Sequence, residues 1–322
     1  MASLRRIVKN TGHRLRKLCN TAYYALSDKR EILVMNAFVY QFLGKIPANN
    51  IGDDLNAVII RELSGKKVLS YNSFYHPGRQ VENIMAIGSI IEWMGNSGSV
   101  VWGSGIKKTP LSEQELQDCR SIARICAVRG RKTRECLLAA GIGCPEVYGD
   151  PALLTPLLYR SAAKPVKGRV GLIPHYMDAG DDNVRRLLEE LGDDGVLIPV
   201  RGYRDWKDVI DLICSCEFIV SSSLHGLILS DAYNIPNQWV KFSDKISGGT
   251  FKYEDYYSAV GKEAQPLVVD GDTGIEDIVK KGMPYKKISF DCRPLLQACP
   301  FEITHPAVLD YLSGSQGSNI AE

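Results

Sequence analysis

The chain has almost no charge imbalance: 39 lysines and arginines stand against 37 aspartates and glutamates, a formal +2 over 322 residues. That is too little to bind a nucleic-acid backbone through counterion release, so no nucleic-acid partner is expected. No run of 18 apolar residues occurs, so the sequence offers no helix able to span a bilayer. Nine cysteines make an odd set without a CxxC pair, and Cys214 and Cys216 lie two apart near the end of an expected helix. Neither a disulfide framework nor a zinc site follows, and a reducing cytosol is the expected setting. No cluster of metal-ligating residues is visible, and no internal repeat or low-complexity tract is evident. The turn Gly103-Ser104-Gly105 lacks the third glycine of a dinucleotide fingerprint.

What is present is a soluble globular composition, 45% hydrophobic and 24% charged, in a length that favours two domains. The first 30 residues stand apart: Arg5, Arg6, Lys9, Arg14, Arg16, Lys17, Lys29 and Arg30 face a single acid, Asp28. Leu4, Ile7, Val8, Leu15 and Leu18 fall on one face of a basic helix, too interrupted for a signal peptide. Peripheral contact with anionic lipid and an exposed arm are both open to such a segment.

From Glu31 the pattern alternates between strand and helix. Strands are expected at Ile32–Tyr40, Lys67–Tyr71, Ser99–Trp102 and Ile125–Val128. Helices follow the turn Ala48–Asp53, at Gly88–Met94 and at Lys132–Ala140. Residues 160–169, RSAAKPVKGR, read as a linker. The pattern then restarts with strands Val170–Ile173, Val196–Val200, Glu217–Ser221 and Gln238–Lys241, and helices at Asp182–Leu191 and Asp205–Cys214. The expected architecture is α/β, two Rossmann-like doubly wound domains facing a cleft. The divisions are a basic arm at 1–30, domains at 31–160 and 169–290, and a segment at 291–322 that frays beyond Ser313.

The candidate site centres on Glu217–Asn237, EFIVSSSLHGLILSDAYNIPN. A buried strand enters a helix through Ser221-Ser222-Ser223, which leaves free N–H groups at the positive end of the helix dipole, an anion site. His225 falls in the first turn, and Gly226 beside it removes a side chain that would hinder approach. The bland alternative is a capped βα junction with an incidental histidine. His175, in Ile173-Pro174-His175-Tyr176, also ends a strand, which strengthens the case for a site. Asn50, Gly52 and Asp53 supply a cleft loop, and Arg129 follows a strand and offers a planar fork for carboxylate or phosphate. Gly103, Ser104 and Gly105 could hold an anion, and Lys245 is a cleft cation or a solvated lysine. Asp150 reads as a turn and helix cap.

Seven strings occur in order: NNIGDDLN (49–56), VVWGSGI (100–106), AVRGRKTRECLL (127–138), PEVYGDPALL (145–154), GLIPHYMD (171–178), SSSLHGLILSDAYNIPN (221–237) and SDKISGGTFKYEDYY (243–257). Together they resemble the polysaccharide pyruvyl transferase family over about residues 45–260. The resemblance implies a GT-B-like fold and transfer of the pyruvyl group of phosphoenolpyruvate to a sugar of a bacterial surface polysaccharide or glycan precursor. The product is a ketal, phosphate is released, and no cofactor is required. It implies catalytic roles for His225, Arg129 and Lys245, and donor contacts from Ser222, Ser223, Gly226 and His175. The acceptor, a glycan or lipid-linked oligosaccharide, is expected on the first domain and the donor on the second. The work would be done in the cytoplasm, at the inner face of the membrane if residues 1–30 touch lipid. Some members carry arginine two residues before the histidine; Ser223 stands there in this chain, and Arg201 is the candidate replacement. A glycosyltransferase of the same shape using a nucleotide sugar, and a binding module without chemistry, are the rival expectations.

Overall fold

Short, mostly apolar runs form ten strands in the computed structural model, which describes residues 2–39, 41, 50–76, 80–263 and 265–314. They are β1 (Ile32–Met35), β2 (Lys67–Ser70), β3 (Asn83–Met85), β4 (Ser99–Trp102), β5 (Arg124–Ala127), β6 (Val170–Ile173), β7 (Gly195–Leu197), β8 (Phe218–Ser221), β9 (Asn237–Lys241) and β10 (Leu267–Val268). Two five-stranded sheets result, ordered β2-β1-β3-β4-β5 and β7-β6-β8-β9-β10. Every pairing is parallel. Each sheet therefore repeats one winding pattern, in which the direction of progression reverses between its first and third strands. That reversal opens a crevice at the strand C-termini, where doubly wound sheets bind ligands.

Most expected elements are present, with displaced ends. The strand expected over Ile32–Tyr40 stops at Met35, and the one expected over Val196–Val200 runs from Gly195 to Leu197. Tyr40, the Ala48-Asn49 part of the expected turn and residues 315–322 of the tail lie outside the described residues. Strands β3 and β10 are too short to show a pattern. The helix Glu113–Arg120 buries Cys119 and little else, so no apolar period marks it; a capping box between Ser112 and Glu115 sets its start.

The basic N-terminal segment is a helix, Ala2–Leu26. Its C-terminal half is tied to the first sheet, because the buried Asn20 amide donates to Gln41 O at 3.0 Å and Ser73 O at 2.9 Å. No helix among the described residues is long and apolar enough to cross a membrane.

Residues 160–169 hold neither helix nor strand, yet the halves they join are not separate cores. One apolar cluster runs from Met35 and Ile60 in the first half to Ile173, Ile198 and Leu227 in the second. Ile51 N donates to Val200 O at 3.0 Å, and the Tyr203 hydroxyl donates to the Asp54 carboxylate across the same seam. The chain then returns to the first half, where Trp102 Nε1 donates to Leu295 O (2.8 Å) and Thr304 N to Leu63 O (2.7 Å). The crevices of the two sheets are thereby held close to one another.

Candidate active site

β6 and β8 flank the reversal point of the second sheet, and each delivers a histidine there. β8 ends in Ser221, whose hydroxyl donates to Ile173 O at 2.9 Å and bends the chain toward β6. Ser223 then caps the helix Leu224–Ala232, accepting from Gly226 N at 3.4 Å. Ser222 accepts from His175 N at 2.9 Å and donates to Asp178 Oδ2 at 2.8 Å, so it joins the two strand ends. His175 and His225 are thus fixed by the same serine turn.

The His225 imidazole crosses to the first half and packs on Gly52. A Cβ at residue 52 would lie 2.0 Å from His225 Nδ1, so only glycine permits this contact. The side chain is 17% exposed, and its Nε2 lies 3.9 Å from Asp150 Oδ2, too far for a hydrogen bond. Both of those atoms, together with Ser104 Oγ, are buried without a hydrogen-bonding partner among the described residues. Buried polar atoms left unpaired are costly, and the facing pair on His225 and Asp150 marks a place where something polar binds.

Burial sets the protonation of the pair. His225 is pushed down to about 3, first by burial and then by Arg129, Lys252 and His175. His175 is also lowered to about 3, by burial and then by Lys252, Arg201 and Lys107. Asp150 is fully buried and raised to about 7, with Arg129 opposing the rise. Near neutrality the imidazoles are therefore uncharged, and the nearby acid is about half protonated.

The surrounding charge is predominantly positive. Lys252, in the helix Phe251–Val260, is nearly buried at 9% exposure and lowered to about 8, by burial and then by Arg129 and Lys107. Its ammonium has no hydrogen bond or ion pair among the described residues and sits 5.1 Å from the Tyr253 ring centre. Arg201 lies 3.6 Å over the Tyr176 ring and lowers both His175 and Asp53. Asp53 itself is raised to about 7, mainly by burial and by Asp54.

The sequence profile of polysaccharide pyruvyl transferase matches residues 3–240. The chain belongs to the polysaccharide pyruvyl transferase family. It is 29% identical over 220 residues to an uncharacterized protein of Acanthamoeba polyphaga mimivirus, covering 66% of this chain and 72% of that one. It is 30% identical over 152 residues to the succinoglycan biosynthesis protein ExoV of Rhizobium meliloti, covering 47% of this chain and 46% of ExoV. A crystal structure of an uncharacterized protein from Klebsiella pneumoniae subsp. pneumoniae covers 82% of this chain and 98% of its own, at 13% identity and a TM-score of 0.43.

In this member of the pyruvyl transferase family, several residues expected at the site play other parts. Arg129 is fully buried, and its guanidinium is already engaged. Nε donates to Asp255 Oδ2 at 2.9 Å, Nη1 to Ser89 Oγ at 2.6 Å and Nη2 to Ile106 O at 2.8 Å. The expected open fork is closed by a carboxylate 126 residues away, itself held by Thr133 N and Oγ1. Lys245 is 58% exposed and faces Asp181 at 3.9 Å rather than the histidines. The Cβ missing from Gly226 would meet Ser221 Oγ at 2.4 Å and Ile173, so that glycine permits helix–strand packing rather than ligand approach. Asn50 caps the helix Ile51–Ser64 through Gly52 N. Gly103, at φ +100, lies against Pro151, and Gly105 lies against the Arg129 guanidinium.

Two residues at the centre went unread in the sequence. Asp150 is indeed a cap, with Oδ1 accepting from Ala152 N at 3.0 Å, but its second oxygen looks at His225. Lys252 lies in the same SDKISGGTFKYEDYY string as Lys245, seven residues on. Its position in an aromatic-rich helical stretch, FKYEDYY, was the available signal, since a lysine among tyrosines is either a surface residue or a buried cation.

Proposed function

We propose that the protein transfers the pyruvyl group of phosphoenolpyruvate onto two hydroxyls of a sugar in a surface polysaccharide or glycan precursor, forming a ketal and releasing phosphate. Lys252 carries this reading: a nearly buried ammonium without an ion pair among the described residues, offset only by the charge of Asp178, beside two uncharged imidazoles and two more cations, Lys107 and Arg201. Such a pocket is poor for a neutral ligand and well suited to one that brings a phosphate and a carboxylate together. Family membership and the ExoV relative support the same acceptor class.

The chemistry needs one proton delivered to the methylene carbon of the donor and two removed from sugar hydroxyls. In the proposed sequence the bound anion raises the basicity of His225, which takes the proton held by Asp150 through a water bridging the 3.9 Å between them and passes it to the methylene carbon. The first hydroxyl then adds to the central carbon and loses its proton to Asp53, the carboxylate facing Arg201. Cleavage of the C–O bond releases phosphate, and the resulting oxocarbenium ion is closed by the second hydroxyl. Asp53 hands the first hydroxyl proton to the departing phosphate, and the second hydroxyl proton returns through His225 to Asp150, so charge and protons balance. Lys252 and Arg201 stabilise the negative charge of the departing phosphate.

The test is a melting titration. Phosphoenolpyruvate at millimolar concentration should raise the melting temperature, by mass action worth about 2.7 kcal/mol at a hundredfold excess over Kd. UDP- and GDP-sugars should leave it unchanged. A shift with a nucleotide sugar and none with phosphoenolpyruvate would make this a glycosyltransferase.

A further inference from the structure

The first sheet has its own reversal point, between β1 and β3, and a cavity of about 570 Å³ opens where β1 ends. Its wall includes Asn36 and Phe38 just beyond β1, Asn72 beyond β2, Trp93 of the short helix Ile91–Met94, and Arg16 and Lys17 of the N-terminal helix. The volume is that of an ordinary small-ligand site. Trp93 is 49% exposed, so a face of its indole is open to a ligand. Trp93 is fixed in place, since its indole N–H donates to Ser89 O at 2.9 Å. Exposed Asn72 adds an amide, held by its Nδ2 donating at 3.3 Å to the oxygen of buried Asn36, whose own Nδ2 donates to Met94 O at 2.8 Å.

Aromatic rings beside carboxamides are the chemistry that receives a sugar: a ring stacks on the apolar C–H face, and amides serve the hydroxyls. Two adjacent cations on one rim add a preference for an anionic substituent. We infer that this cavity is the acceptor subsite and takes an anionic sugar, with Trp93 as its platform and Arg16 and Lys17 holding the charge. Ser89 links it to the candidate active site: its carbonyl holds Trp93, and its hydroxyl accepts from the Arg129 guanidinium at 2.6 Å. The acceptor role rests on the pyruvyl-transfer reading, whereas binding of the sugar does not.

Trp93 also makes the test selective, because the other three tryptophans, Trp102, Trp206 and Trp239, are buried. Full-length protein is titrated with glucose, glucose 1-phosphate and glucuronic acid while intrinsic fluorescence is followed, with inorganic phosphate as control. The two anionic sugars separate an anomeric phosphate from a ring carboxylate as the source of the charge. At least one of them should change the emission and bind about fivefold or more tightly than glucose, the worth of two rim cations. Arg16→Ser with Lys17→Ser should erase that difference, and Trp93→Phe should abolish the signal. No response to any of the three sugars, an equal response to neutral and anionic ones, or a response to phosphate alone would overturn the proposal. Loss of the phosphoenolpyruvate melting shift with the sugar response intact would instead defeat only the pyruvyl-transfer reading.

Discussion

A lysine in a nearly dry setting is tolerable only if something neutralises it in use, because burying an ammonium without a counter-ion costs several kcal/mol. Lys252 meets that condition poorly in the unliganded protein and well with a phosphate beside it. Lys252→Met keeps the length and apolar stem and removes the charge. The variant should fold with an unchanged or higher melting temperature and bind phosphoenolpyruvate about 10- to 100-fold more weakly, the loss of one charge-assisted hydrogen bond. In the native protein the same affinity should decline as pH rises past about 8, where Lys252 loses its proton. His225→Gln should behave in the opposite way, keeping the melting shift and losing about 100-fold in turnover, because it retains a hydrogen bond but cannot carry a proton. Equal effects of the two substitutions on binding would show that the donor-holding and proton-transfer roles are not divided as proposed.

At the level of elements, the helix Phe251–Val260 is the member on which the others converge. Asp255 closes the Arg129 fork, Tyr253 donates to Ser222 O at 2.7 Å, and Lys252 points among the cations. One helix thus sets the serine turn, the buried ion pair and the donor-facing ammonium. The helix Ile51–Ser64 makes the complementary contribution, since its Gly52 leaves room for the His225 ring. Gly52→Ala should gain helix propensity and so lose little stability, within about 1–2 kcal/mol of the parent. The new methyl must displace the imidazole, and misplacing a reacting group by an ångström can cost about 100-fold in rate. Thermal melting together with single-turnover phosphate release would check this. A fully active variant would mean that the ring position seen against Gly52 is not the working one.

Across the whole molecule, folding draws two sets of titratable groups into the seam between the sheets. Asp53 and Asp150 are raised to about 7, and His175 and His225 are lowered to about 3. A carboxyl raised on folding contributes no penalty below its unfolded pKa, and its contribution worsens as pH climbs to the folded value. For Asp150 that window runs from 3.8 to about 7. The histidines act in the opposite sense, costing stability as pH falls from 6.5 toward 3. Asp150→Asn keeps the cap on Ala152 and removes one carboxyl from the sum. Its stability relative to the parent should grow between pH 5 and pH 8 and level off above, by at most about 3 kcal/mol over that interval. Denaturant melts at the two pH values would show it, and a constant difference would mean Asp150 is not raised.

Local patterning was enough for the strand–helix alternation, the parallel sheets, the capping serines and the positions of both histidines at strand ends. Periodicity and turn chemistry act within a few residues, so they are legible in a single chain. The seven ordered strings were enough for the family. Which cation is free was decided elsewhere. Arg129 and Lys252 look alike in sequence as basic residues near strand or helix starts, but Asp255 pairs directly with the first, whereas Asp178 acts on the second only through its charge. The second oxygen of Asp150, the ring of His225 on Gly52 and the cavity beyond β1 depend on contacts between residues tens to hundreds of positions apart. Those contacts follow from the two sheets repeating one winding order and sharing one core, which brings their crevices together only once the chain has folded.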